Sequence, residues 1–375
     1  MRTLPARSRI ILVTGLTILG LLVAGCDPRF QRDFTPLDNY LESVLPRLDG
    51  GCALILFEGE ETVYRQAFGT FSPDRLVPVA SASKWISGGV IAALLDEGLF
   101  TLDSRAGEYL SGFPDRKADI TIRQMFSHTH GFPEKTPGDF YLPDYLPHRD
   151  VSLDSMQAAV DIIADVPLTY PPGTALYYSG MGMQVAGRIA EIVTGKPWVE
   201  VFREKIGIPC DMPHTSYYAF GPTRNPNVAG SVRTSLDEYG NFVYMLLNNG
   251  RFNGRRVLSE AIVQTMLTNQ SGSGPILSHP WASLAFVDPV IASCRYGIGC
   301  WLEDMDPVTG RGVEISSGGA FGCNPFLYRD LNVGGVFLTY SRNLRFNPRG
   351  KLYNDAHRVY LELQQVIKGI FGNGP

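Results

Sequence analysis

β-Rich segments lie at both ends of this chain with a helical stretch between them, and that arrangement limits its fold more than any other feature. "GCALILFEGEETVYRQAFG" holds two runs, 53–57 and 62–67, dense in aliphatic, aromatic and β-branched residues. An acidic, Gly-containing break separates them, which predicts a hairpin. The last third returns to strand-like runs in "YGIGCWLE", "GVEISSGGAFG", "FLYRD" and "VGGVFLTYS". The middle reads differently. "SKWISGGVIAALLDEGLF" predicts a strongly apolar helix ending near Gly98, and "MQVAGRIAEIVTG", "SLDEYGNFVYMLLNNG" and "SEAIVQTMLT" predict further helices. The expectation is one α/β (α+β) unit: an antiparallel sheet flanked by helices, formed by the N- and C-terminal segments, with an inserted mainly helical lobe at about 100–250.

Both ends carry a helix outside the strands. Leu37, Tyr40, Leu41, Val44 and Leu45 recur at three-and-four spacing, and "YNDAHRVYLELQQVIKGIF" closes the chain. Residues 132–172 are rich in Pro, Asp and Tyr and predict an irregular segment with one helix near 155–164. No internal repeat is visible. With 44% hydrophobic and 19% charged residues, the 375-residue chain is a folded globular protein. Its formal charge of −4 provides no basic footprint, so no nucleic-acid partner is expected.

The N-terminus is a targeting segment by composition. "MRTLPARSR" has three arginines and no acid, and residues 10–24 are almost purely apolar. A membrane span needs about 20 such residues, so this run suits a secretory signal instead. "LVAGC" resembles a bacterial lipobox. That resemblance implies a signal peptide over 1–25, a lipid on the Cys26 sulfur, a tether over 26–36 and a catalytic-size domain over 37–371. The expected location is exported and membrane-anchored, facing the periplasm or cell exterior, with the membrane as a partner through Cys26. Cys52, Cys210, Cys294, Cys300 and Cys323 remain. An odd count leaves at least one thiol free, and no C-x-x-C pair exists. They read as buried small hydrophobes with room for one bridge.

Chemistry concentrates in "VPVASASKWISGG". Ser81-Ala82-Ser83-Lys84 is an S-x-x-K pattern. Three residues turn a helix by about 300°, so Ser81 and Lys84 share a face, whereas Ser83 lies about 100° from Lys84. A helix start also presents N–H groups and a positive dipole end to an oxyanion. Trp85, Ile86, Val90 and Ile91 surround Lys84 with apolar surface, which lowers a lysine pKa. By itself the pattern is better read as a helix cap with a snorkelling lysine.

Distant stretches decide between these. "PPGTALYYSG" puts Tyr178 after a PGT turn, and "ISSGGAFG" is a small-residue strand near the C-terminus. Serine motif, tyrosine motif and Gly-rich strand occur in this order in class C β-lactamases and their penicillin-binding-protein-like relatives, which the chain resembles from about Leu37 to its last helix. "TIRQMFSHTHGFP" resembles that superfamily's "TIRQLLSHTSGLP", and "YGIGCWLE" its "YGLGWWVE". The resemblance implies Ser81 as nucleophile, Lys84 as its proton partner and Tyr178 as the phenol that protonates the leaving group. It implies an oxyanion hole from the N–H groups of Ser81 and Gly319, and a substrate-facing strand Ser316-Ser317-Gly318.

Two departures bear on substrate. The asparagine of the family's Y-x-N is Gly180, and its K-T-G or H-T-G is Ser316-Ser317-Gly318. A charge-assisted hydrogen bond to a substrate carboxylate contributes about 1.5–3 kcal/mol, and neither serine carries charge. The expectation is a serine hydrolase acting through a Ser81 acyl-enzyme on an ester or other neutral acyl substrate, without a cofactor. A D-Ala-D-Ala-type carboxypeptidase or D-aminopeptidase acting on cell-wall fragments, a weak β-lactamase, and a non-catalytic binding module are the alternatives. His128-Thr129-His130 has no third ligand at metal spacing and reads as structural. No G-x-S-x-G elbow and no G-x-G-x-x-G occur, against an α/β-hydrolase or a dinucleotide site.

Overall fold

The hairpin forms where the sequence predicts it. Strand β1 (Gly51–Glu58) pairs antiparallel with β2 (Glu61–Gly69), and Gly59 makes the tight turn at φ +59°. The computed structural model describes residues 32–134, 146–280, 284, 293–350 and 352–372. The predicted signal peptide and Cys26 lie outside the described residues. Five further strands complete the main sheet: β3 (Arg295–Tyr296), β4 (Trp301–Met305), β5 (Gly312–Ser316), β6 (Asn324–Tyr328) and β7 (Val333–Thr339). The spatial order is β2-β1-β7-β6-β5-β4-β3, antiparallel throughout. β1 lies against β7 with Ala53 opposite Leu338 and Ile55 opposite Val336. The two ends of the chain therefore share one sheet, as expected.

The helices that position the site are α1 (Thr35–Val44), α2 (Ser83–Asp96), α3 (Met181–Thr194), α4 (Leu236–Leu247) and α5 (Asp355–Gly372). β1 is apolar on both faces because both are covered. Cys52, Leu54 and Leu56 face a cluster with Leu37 and Leu41 of α1 and Val359, Leu363 and Ile367 of α5. Ala53, Ile55 and Phe57 join the larger core with α2 and α4. Arg47 fastens the first layer, reaching Asp355 at 3.0 Å and Glu362 at 2.6 Å. α2 is buried from Ser83 to Leu94, so it is a central helix and not an amphipathic one. Its Trp85 is fully buried, and truncation to alanine there costs about 3–5 kcal/mol.

α2 is held close to the β3–β4 connection. A Cβ on Gly299 would lie 2.2 Å from the Lys84 carbonyl oxygen, so only glycine lets the two backbones meet. The five described cysteines are all buried, and no bridge joins any two of them. Among the described residues no helix is long and apolar enough to cross a membrane.

Candidate active site

Ser81 sits in a short 3-10 turn, Ala80–Ala82, and α2 begins only at Ser83. Ala80 has φ +46°, a left-handed conformation that costs a non-glycine residue about 1–2 kcal/mol. Neighbouring hydrogen bonds hold it there. Ser83 Oγ donates to Ala80 O at 2.6 Å and accepts from Val232 N at 2.9 Å, and the Tyr239 hydroxyl donates to Ala82 O at 2.5 Å. Ser83 is thus a fully buried clamp on the turn. Ser81 Oγ takes no part in that clamp.

Lys84 Nζ donates to Ser81 Oγ at 3.1 Å and to Ala229 O at 2.8 Å. The lysine is buried with no carboxylate in contact among the described residues, and burial brings its pKa down to about 7. Glu134 partly opposes that shift and Arg149 adds to it. Near neutral pH a large fraction of Lys84 is the free amine, able to take a proton from Ser81.

Tyr178 is brought to the same point from the other side. Its hydroxyl feels the Ser81 side chain, which partly offsets the effect of burial, and Lys84 Nζ lies 4.7 Å from its ring centre. Burial raises the phenol above its usual value, so Tyr178 stays protonated. The ring stacks on Trp301 at 5.5 Å and packs on His128 at 4.4 Å. His128 is a brace: its Nδ1 meets Ser179 O at 2.9 Å, and its carbonyl accepts from Tyr177 N at 2.8 Å. Tyr177 packs instead towards Tyr170, at 6.0 Å between rings. The structure therefore gathers Ser81, Lys84 and Tyr178, with His128 in a supporting place.

The strand residues differ from expectation. Ser316 Oγ donates to the carboxylate of Glu303, whose other oxygen accepts from Gln364 Nε2 at 2.8 Å. Ser317 Oγ donates to Gly299 O at 3.2 Å. Each hydroxyl has one proton and spends it internally, so neither is left to donate to a substrate carboxylate. Gly318 follows them beyond the end of β5. Gly319 was expected to offer its N–H to an oxyanion. That N–H donates to Cys323 O at 2.8 Å, within the turn leading to β6. What Gly319 provides is clearance: a Cβ there would lie 1.9 Å from Val79 O, in the turn that presents Ser81. Ser81 N–H has no acceptor among the described residues and is left available to an oxyanion.

Sequence reasoning missed His148. It is fully buried and fills the space beside Gly180, two residues after Tyr178. "LPHRD" carries no motif, and only the missing asparagine at 180 signalled that something else must occupy that volume. A cavity of about 740 Å³ opens between Met156, Arg188, Trp198 and Tyr218. It contains none of Ser81, Lys84 or Tyr178, so chemistry and not cavity size locates the site.

A family model of the beta-lactamases matches residues 44–358. The chain belongs to the beta-lactamase family. Penicillin-binding protein 4 of Amycolatopsis lactamdurans is 27% identical over 279 residues, 66% of this chain and 68% of that protein. Among solved structures, a Bacteroides dorei DSM 17855 protein assigned to the beta-lactamases is 28% identical with a TM-score of 0.78, covering 91% of this chain and 100% of that one. EstCE1, a hydrolase with promiscuous acyltransferase activity, shares the fold at 17% identity and TM-score 0.67, over 88% of this chain and 97% of its own. The α/β beta-lactamase fold and the family's serine-lysine-tyrosine order thus coincide in one chain.

Proposed function

We propose that this beta-lactamase-family protein is a serine hydrolase that forms an acyl-enzyme on Ser81 and acts on esters or other neutral acyl substrates. One observation carries the reading: a buried lysine, brought to about 7, lies 3.1 Å from Ser81 Oγ beside a phenol that stays protonated. Lys84 is the base in this arrangement because its amine is free near neutrality while tyrosinate is not available. Ser81 Oγ attacks the substrate carbonyl carbon as its proton passes to Lys84, and Ser81 N–H supports the oxyanion. The bond to the leaving group then breaks; Tyr178 donates its proton to the leaving oxygen and is reprotonated by Lys84. Water repeats these steps in reverse to free Ser81.

The neutral-substrate preference rests on the strand. Ser316 and Ser317 carry no charge and their protons are held by Glu303 and Gly299. EstCE1, a hydrolase, shows the fold serving acyl transfer. A second reading, a cell-wall peptidase, is favoured by the likeness to a penicillin-binding protein and by the lipobox-like Cys26, which would tether the enzyme to a membrane after export. A pure binding module has no use for a neutral lysine against Ser81. Hydrolysis of p-nitrophenyl esters, nitrocefin and D-amino-acid peptides separates the readings: ester turnover is expected to lead, and nitrocefin turnover well above it would overturn the preference.

A further inference from the structure

Gly180 is a glycine for want of space, not for backbone reasons. Its φ of −82° and ψ of −12° suit any residue. A Cβ there would lie 2.7 Å from His148 Nε2, 2.8 Å from His148 Cδ2 and 3.1 Å from Ala229 Cβ. The imidazole thus occupies the volume into which a side chain at 180 would project. On the far side of that volume is Ala229, whose carbonyl holds Lys84.

The mounting of His148 is a closed network. Asn225 Nδ2 donates to Pro147 O and to Asp150 O, both at 2.9 Å, gripping the turn that carries the histidine. Asn225 Oδ1 accepts from Gln184 Nε2 of α3 at 2.7 Å, and Gln184 Oε1 accepts from Val228 N at 3.0 Å. The same network therefore fixes α3, the 225–229 loop and His148 against one another. Every polar group in it is satisfied except the imidazole. Both ring nitrogens of His148 are buried without a hydrogen-bond partner among the described residues. A buried, unpartnered polar side chain costs stability and calls for an explanation.

Lys84 has a matching deficit. As the ammonium it has three donors, of which Ser81 Oγ and Ala229 O take two. We propose that His148 is a positioning residue that replaces the missing carboxamide of position 180: its unprotonated ring nitrogen serves as acceptor for the Lys84 ammonium formed when Ser81 gives up its proton. No proton passes to His148; the Ser81 proton stays on Lys84 until it returns through Tyr178. This rests on the Ser81–Lys84 reading above.

The charged and titratable groups around His148 agree with a neutral ring. Burial holds it well below its ordinary pKa, and Arg149, Lys84 and His130 push in the same direction. Arg149 is itself paired with Glu134 at 2.6 Å, and Glu134 accepts from Gly180 N at 3.3 Å. His130, held below its usual value by burial, accepts from Phe132 N at 3.0 Å.

The test compares wild type, His148→Phe, His148→Ala and the double variant His148→Ala/Gly180→Asn, each checked for folding by thermal unfolding. Fluorophosphonate labelling of wild type at Ser81 comes first, so that failure of the hydrolase reading is seen separately. With labelling in hand, His148→Phe and His148→Ala are expected to lose about tenfold or more in kcat for a p-nitrophenyl ester, the loss of one hydrogen bond to a charged group. The acid limb of kcat/KM should move to lower pH, because an ammonium without its acceptor gives up its proton more readily. The double variant should regain turnover and move the limb back, since an amide oxygen at 180 supplies the acceptor. Wild-type kcat and an unmoved limb in the folded single variants would overturn the proposal. So would a folded double variant no better than His148→Ala, which tests the idea even if His148→Phe does not fold.

Discussion

Lys84 Nζ lies 4.7 Å from the centre of the Tyr178 ring, and both groups meet Ser81. Burial moves their pKa values in opposite directions, the amine down to about 7 and the phenol above its usual value. Each group is thereby neutral where the proposed reaction needs it, one as base and one as acid.

The pH profile follows. Activity requires unprotonated Lys84, so kcat/KM for a neutral ester should rise with pH through about 7 and then level off. Tyr178 stays protonated beyond its ordinary range, so no loss from phenol ionisation is expected near pH 9. Lys84→Arg should be inactive at every pH, because a guanidinium does not give up its proton. A profile centred near pH 5 would contradict the assignment of lysine as base.

Stability carries the reverse sign. The folded-state pKa of Lys84 is depressed below its unfolded value, so between about 7 and 10.5 the unfolded chain holds one more proton. Wild-type stability from this group therefore rises with pH across that window and is flat below it. Lys84→Met removes a buried ammonium and should raise Tm most at pH 7 and below, with the gain shrinking towards pH 10.5, while activity is lost. Differential scanning calorimetry across this range checks it; a Tm advantage that grows with pH would be the wrong sign.

Tyr178→Phe should separate catalysis from packing. The ring keeps its stacking on Trp301 at 5.5 Å and its contact with His128, so Tm should change by no more than one hydrogen bond's worth, about 1 kcal/mol. Turnover should fall by about 10²–10⁴, the range for a lost acid–base group. Near-normal ester turnover in a folded Tyr178→Phe protein would remove the phenol from the mechanism.

Gly319→Ala tests close approach. The new Cβ would meet Val79 O at 1.9 Å, and the Val79–Ala82 turn has to move. Overpacking of this kind costs about 1–3 kcal/mol or more, and displacement of Ser81 should cut fluorophosphonate labelling. Urea unfolding and labelling rates measure both; a variant unchanged in both would show that the turn has more room than its geometry allows.

The architecture was readable because its signals are local and repeated. The hairpin break at Gly59, the buried run of α2 and the strand-like last third each follow from residue type and period. The meeting of Ser81, Lys84 and Tyr178 was readable from spacing plus order along the chain. What failed was anything decided by where a hydroxyl or amide proton goes. Ser316 and Ser317 look like donors in sequence, yet Glu303 and Gly299 take their protons. Gly319 looks like an oxyanion donor, yet Cys323 accepts its N–H. His148 sits 32 residues before Gly180 in a segment with no motif; only folding places it there.

Substrate choice can be probed at the same strand. Ser316→Lys restores the residue type of the K-T-G pattern, but Glu303 is within reach of position 316 and should capture the new ammonium. Nitrocefin turnover should therefore rise little in Ser316→Lys and more in Ser316→Lys/Glu303→Gln. A large rise in the single variant would show that Glu303 has no influence on the strand.

The most direct measurement is intact-protein mass spectrometry after brief mixing with a p-nitrophenyl ester and acid quench, followed by peptide mapping. The account predicts one acyl group per chain, on Ser81, absent in Ser81→Ala and much diminished in Lys84→Ala. Ester turnover with Ser81 unmodified, or an acyl group carried elsewhere and retained in Ser81→Ala, would contradict it.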